Sequence, residues 1–202
     1  MQQIVIIGAG GFGAEVAWVC RRAGIDVIGF CDDAAELQSG GLAGLPLLGA
    51  VEQAAATLAS GTGCHIAVGD NRARLRLHER SRALGWRPVT VVDPTAVVAP
   101  DAVLGDGCFV GCGSLVSCAT RVGGLVIINH QSTIGHDCVV GDYAQICPGA
   151  RVSGACRIGE GALLGSNAVT IPGAGVGAWA TLGAGAVALR GIPAGQGRVK
   201  LR

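Results

Sequence analysis

The chain has 202 residues, of which 35 are Gly, 50% are apolar and only 14% are charged, with 15 basic against 14 acidic side chains. The abundance of Val, Ile, Leu and Ala excludes a disordered chain, and Gly without a triplet period excludes collagen. A formal charge of +1 gives no electrostatic reason to expect nucleic acid or an anionic membrane as a partner.

The start, MQQIVIIGAGG, has no basic stretch and no cleavage site, so no signal peptide is expected. Nine Cys without a C-x-x-C pair read as reduced, small hydrophobic residues of a cytoplasmic protein. The apolar run Ile4–Ile7 predicts a strand, followed by the loop Gly8-Ala9-Gly10-Gly11-Phe12-Gly13 and a helix to about Ala23. Val27–Phe30 predicts a second strand, ending at Asp32 and Asp33. A helix over Val51–Leu58, a strand at His65–Val68, a helix over Asn71–Leu84 and a strand at Val89–Val92 follow. This alternation implies a small Rossmann-like parallel α/β domain over residues 1–93.

A glycine loop that follows a strand and opens a helix can receive a phosphate on its backbone N–H groups. Asp32 and Asp33 stand where a ribose-binding acid belongs, which taken alone suggests NAD. Against that reading, about 93 residues are short for a six-strand dinucleotide domain. The Gly69-Asp70-Asn71 turn either faces the same site or caps the following helix.

Residues 94–202 obey a different rule. Stepping by six from Val98 to Ala188 meets sixteen positions, fourteen of them branched aliphatics. The next residue is Gly in nine cases, and the residue four after the aliphatic is Ala, Cys, Ser or Thr in fourteen. A period of six is the hexapeptide signature of a parallel β-helix, three units to a coil, with coils about 4.8 Å apart. The column of Gly is expected to absorb strained backbone at the corners. The uncharged stretch Gly161–Leu189 contains seven Gly and Pro172, so a membrane span is not expected. From Pro94 to Ala188 there are five acids, three Arg and no Lys, and faces this bare should associate.

Four His are available. His65 falls in a predicted strand and reads as structural, and His78 falls on a polar helix and reads as solvated. His130 and His136 each lie two residues after an inward aliphatic. They are either surface residues or a source of a general base near neutral pH. A zinc site of the three-His kind lacks its third ligand here, so no metal is expected. Cys138, Cys108 and Cys156 fall in the small inward column and should be buried, protonated and unfit as nucleophiles.

The string Asn129-His130-Gln131-Ser132-Thr133-Ile134-Gly135-His136-Asp137-Cys138-Val139-Val140-Gly141-Asp142, within the unbroken hexapeptide frame, resembles hexapeptide-repeat sugar acyltransferases of the sialic acid O-acetyltransferase and nucleotide-activated amino-sugar N-acetyltransferase type. The resemblance implies a left-handed β-helix over residues 94–202, acetyl-CoA as co-substrate and a homotrimer with sites between neighbouring prisms. It implies His136 as base and Asp137 as its orienting acid, with Asn129 and His130 as secondary residues. It implies CoA contacts at Gln145, Gly154, Ser166 and Ala184, although relatives often carry a second His where this chain has Gln145. It gives the α/β domain the nucleotide of the acceptor, with Gly10, Gly11 and Phe12 near phosphate and sugar, Asp32 and Asp33 near base or ribose, and Asn71 at the edge. Relatives commonly have His at the Phe12 position. The expected activity is acetyl transfer to a nucleotide-linked amino sugar of the 4-amino-4,6-dideoxy kind. Sugar O-acetylation and a non-catalytic nucleotide-binding scaffold are the alternatives.

Overall fold

In the computed structural model, which describes residues 3–34 and 41–196, the first apolar run forms β1 (Gln3–Ile7). Its residues Ile4, Val5, Ile6 and Ile7 are at most 1% exposed. A strand buried on both faces needs parallel neighbours and helical cover. It receives them from α1 (Gly11–Arg22), β2 (Asp26–Cys31), α2 (Val51–Ala55), β3 (Gly63–Ile66), α3 (Asn71–Ala83) and β4 (Arg87–Pro88). The sheet order is β2-β1-β3-β4, every pair parallel, so the ends of β1 and β3 lie side by side. Burial pushes the thiols of Cys20 and Cys31 up to about 12 and that of Cys64 up to about 11. The strand expected at Val89–Val92 is divided. The Val89 N–H donates to Cys64 O at 2.8 Å, whereas Val91–Val92 is the first strand of the next architecture. The chain divides into two compact units, Met1–Val91 and Val92–Arg202.

The second unit is a left-handed parallel β-helix of two-residue strands, β5 (Val91–Val92) to β21 (Val187–Ala188). They stack as three parallel sheets of six, six and five strands. Counting in chain order, the first face begins at Val91, the second at Val97 and the third at Val103. Partners are 18 residues apart, as in Ile127–Gln145 and Thr133–Arg151, which is three hexapeptides per coil. The aliphatic and small columns together form one apolar interior, from Cys108 through Ile134 and Ile146 to Leu182. The uncharged stretch 161–189 forms part of these coils. No helix among the described residues is long and apolar enough to cross a membrane.

Glycine does a different job at the corners from the one expected. From Gly107 to Gly185, left-handed backbone falls at every sixth residue, three after the inward position, and eight non-Gly residues occupy it: Ala119, Leu125, Gln131, Asp137, Tyr143, Ala155, Asn167 and Trp179. The Gly column directly after the aliphatic is not left-handed. It is required by close approach between coils: a Cβ at Gly141 would stand 2.5 Å from Glu160 N, and one at Gly159 would stand 2.3 Å from Ala178 N. The small column carries a second regularity. Hydroxyls and thiols of Cys108, Ser114, Thr120, Ser132, Cys138 and Cys156 each donate to the carbonyl 15 residues ahead, at 2.8–3.3 Å. A buried donor needs such a partner, so these thiols are built into the corners.

Candidate active site

His130 and His136 occupy successive corners of the prism, with β12 (Thr133–Ile134) between them. The Nδ1 of His130 accepts from the Cys112 N–H at 2.9 Å, which leaves Nε2 to carry the proton in the neutral ring. Phe109 meets this ring edge-on at 5.8 Å. His130 is therefore held from two sides at the first corner.

His136 stands at the second corner in the opposite tautomer. Its Nδ1 lies 2.7 Å from Asp137 Oδ2, and both side chains are 63% exposed. An ionised carboxylate only accepts, so Nδ1 bears the hydrogen and Nε2 presents a lone pair. Asp137 reaches back to its own neighbour because it takes the left-handed corner conformation, at φ 57°. Cys138, next along, is buried at 0% exposure, and desolvation raises its thiol above the ordinary range. Its Sγ donates to Ser153 O at 3.1 Å and lies 3.6 Å from the main-chain O of His136, inside the corner.

The other expected contacts fall on two separate edges. Gly154 lies one coil beyond His136 at the second corner, with its Cα face against the imidazole. Ser166 and Ala184 stack, exposed, at the first corner in the column that contains Cys112 and His130. Gln145 projects from the first face between Ile127 and Leu163. Its Oε1 is buried without a partner among the described residues. An orphaned acceptor on an apolar strand is a place where a ligand donor gains most. Asn129, also at the first corner, accepts from the His130 N–H through Oδ1 at 2.7 Å. The step of 18 was readable from the hexapeptide frame and would have placed Cys118, His136 and Gly154 in one column.

In the α/β unit the four loop glycines have two kinds of reason. A Cβ at Gly13 would lie 2.1 Å from Gly8 O, and one at Gly8 would lie 2.7 Å from Ala67 O. Those two serve helix–strand packing. Among the described residues Gly10 and Gly11 have nothing within 4 Å of that position, and Gly10, the N-cap of α1, has no side chain to cap the helix. Phe12 is half-buried in the first turn. The aspartates expected at base or ribose are engaged with protein. Asp32 accepts from Ala9 N–H at 2.7 Å and Ala34 N–H at 2.9 Å, bracing the glycine loop. Asp33 binds Arg80 through both oxygens at 2.7 and 3.0 Å, and Arg80 also holds Glu52. These hydrogen bonds keep the Asp33 and Glu52 carboxyls below their usual range. In the Gly69–Asn71 turn, Asp70 caps α3 through Ala73 N–H at 2.7 Å. Asn71 Oδ1 accepts from the buried Arg74 at 2.9 Å, and Arg74 also donates to Val68 O. This buried guanidinium was not legible beforehand, since Arg74 reads as one more polar residue of α3.

Among the described residues no three His, Cys, Asp or Glu gather as a metal ion requires.

A hexapeptide β-helix that follows a small parallel α/β unit in the chain is the architecture of a transferase of the hexapeptide class. Residues 3–81 match the family model described as the PglD N-terminal domain. Perosamine N-acetyltransferase from Caulobacter crescentus, solved with CoA and GDP-perosamine, is similar at 31% identity over 96% of this chain and 92% of that one, with a TM-score of 0.90. The acetyltransferase domain of PglB from Neisseria gonorrhoeae, solved with acetyl coenzyme A, is 33% identical over 97% and 95%, with a TM-score of 0.91. WeeI from Acinetobacter baumannii is 26% identical over 98% and 97%, with a TM-score of 0.89. Comparison with curated protein sequences returns no match. The chain belongs to the hexapeptide-repeat sugar acyltransferases and is an acyltransferase.

Proposed function

We propose that this enzyme transfers an acetyl group from acetyl-CoA to the amino group of a nucleotide-linked sugar of the 4-amino-4,6-dideoxy kind. The observation that carries the reading is the exposed His136–Asp137 pair on a chain similar throughout to sugar N-acetyltransferases solved with CoA and GDP-perosamine. The amine attacks the thioester carbonyl, and Nε2 of His136 accepts the proton that the nitrogen must lose. Asp137 holds the Nδ1 hydrogen and stabilises the imidazolium. As the C–S bond breaks, the imidazolium returns its proton to the departing CoA thiolate. A backbone N–H of a glycine corner is suited to the oxyanion.

Gln145, Gly154, Ser166 and Ala184 are the proposed CoA contacts. The orphaned Oε1 of Gln145 supports its part. The open space over Gly10 and Gly11 supports phosphate binding at the α1 N-terminus, with Phe12 beside the sugar. Asp32 acts there by bracing the loop. Asp33 and Asn71 border the base or ribose.

A homotrimer accounts for the division of these contacts. His136 and Gly154 stand at one corner while Ser166 and Ala184 stand at another, so a neighbouring copy brings the two sets into one groove. Exposed Val97 (60%), Val103 (50%) and Val187 (41%) supply apolar area for that association. Nine free thiols fit a reducing cytoplasm, where the unit 1–93 would bind nucleotide and the unit 94–202 would carry the chemistry.

Thiol release from acetyl-CoA, measured across UDP-, dTDP- and GDP-linked 4-amino sugars with sialic acids alongside, tests the reading. An amino sugar should be the acceptor, and His136→Ala should lower kcat by roughly 10²–10⁴-fold. Undiminished transfer by that variant removes His136 as base. Turnover of sialic acid alone assigns O-acetylation, and no turnover with any acceptor assigns a non-catalytic scaffold.

A further inference from the structure

We infer that Gly154 is a positioning residue for His136: the missing side chain at 154 is the seat that holds the imidazole against Asp137. The inference rests on His136 acting as the base. It is separate from any contact that the Gly154 backbone makes with CoA.

A Cβ built on Gly154 would stand 2.5 Å from His136 Nε2, 2.7 Å from Cε1 and 3.1 Å from Cδ2. All three nearest atoms belong to the imidazole, and none is backbone. That sets Gly154 apart from the corner glycines at 135, 141 and 159, whose built Cβ meets the backbone of the following coil. Its φ is not left-handed, so the local conformation accepts an L side chain. The same corner position carries Cys118 and His136 in the two preceding coils and Pro172 in the next. The fold therefore does not require glycine at 154. The ring of His136 does.

Ordinary contact with a Cβ begins at 3.4 Å, so alanine at 154 must drive Nε2 back by about 0.9 Å from the 2.5 Å approach. The exposed ring can swing outward at little cost to folding, but it then leaves the 2.7 Å bond to Asp137. A misplacement of about 1 Å in a reacting group can cost on the order of 10²-fold in rate.

The test is a cycle of Gly154→Ala, His136→Ala and the double variant in the full-length enzyme, read by thiol release and by thermal melting. Alanine keeps the main-chain N–H, so Gly154→Ala should lower kcat roughly 100-fold while KM for acetyl-CoA stays near the parent value. Its melting temperature should stay within about 2 °C of the parent. With the base gone the seat has nothing to hold, so the double variant should be no slower than His136→Ala alone. Full activity in Gly154→Ala beside a disabled His136→Ala overturns the inference and leaves the base intact. Multiplicative losses, a raised KM for acetyl-CoA or a large drop in melting temperature also overturn it. An active His136→Ala overturns the proposed base, and the inference with it.

Discussion

In the prism, Gly159 faces the backbone of the next coil at 2.3 Å from a would-be Cβ, whereas in the α/β unit Gly10 and Gly11 face nothing within 4 Å. One residue type thus answers two demands. Coils about 4.8 Å apart leave no room for a methyl group where corner backbones nest. At the end of β1 no described residue fills the space, and a ligand that needs close approach to main-chain N–H groups can use it. The same contrast separates the histidines. His136 is 63% exposed beside a carboxylate, while His65 is 1% exposed in β3 with Nδ1 2.9 Å from Val89 O. Repetition makes exceptions visible in the prism, and the α/β unit has no repetition to depart from.

The largest effect should come from Gly159→Ala. Its Cβ meets Ala178 N at 2.3 Å and Ala178 Cα at 2.7 Å, and backbone cannot rotate away. Overpacking of this kind costs on the order of 3 kcal/mol. For a chain of this size that lowers the melting temperature by roughly 10 °C. Gly185→Ala is the control. Gly185 is left-handed at φ 67° with open space around it, and Ala119 and Ala155 already occupy the same position in other hexapeptides. The control should lose only about 1 kcal/mol. Equal losses in thermal melts of the two would break the assignment of close approach to one column and backbone handedness to the other.

This contrast also marks how far the sequence could be read. The six-residue period exposed the prism, its inward columns and the buried state of Cys138, because each position recurs in one environment. It misassigned the cause of the glycine column, since the residue two positions further along carries the left-handed backbone and a side chain in eight cases. Periodicity reports where Gly recurs and is silent on whether φ or contact demands it. In the α/β unit the strands and helices followed from apolar runs. The fate of Asp32 and Asp33 did not, because Ala9 and Arg80 are 23 and 47 residues distant and only the folded sheet brings them near. The seat at Gly154 lay between. Its register with His136 was readable from the period, but its contact with the ring was not.

The buried histidine gives the next effect. Desolvation, set against the bond to Val89, lowers the pKa of His65 from 6.5 to about 4. The folded chain therefore holds His65 neutral where the unfolded chain has begun to bind a proton. Stability from this group is complete above about pH 6.5 and declines as pH falls from there toward 4. The whole difference is roughly 3 kcal/mol. Urea unfolding at intervals from pH 7 to 4 should show that slope, and His65→Gln should remove about one proton's worth of it. His136→Ala should leave it unchanged. An unaltered slope in His65→Gln would place the proton uptake elsewhere in the chain.

Gly10→Ala should have the smallest effect on folding and a clear effect on binding. Gly10 is the N-cap of α1 at φ −91° and ψ −170°, an extended conformation that alanine adopts without strain. Nothing stands within 4 Å of its Cβ position, so unfolding free energy should change by no more than about 0.5 kcal/mol. If the empty space holds a nucleotide phosphate against the loop N–H groups, a methyl group lifts that phosphate away. Calorimetric affinity for the nucleotide sugar should then fall about tenfold, a change of about 1.4 kcal/mol. Affinity for acetyl-CoA, assigned to the prism, should not move. Unchanged affinity for both ligands would remove the phosphate from this loop and leave Gly10 and Gly11 as glycines for which packing gives no reason.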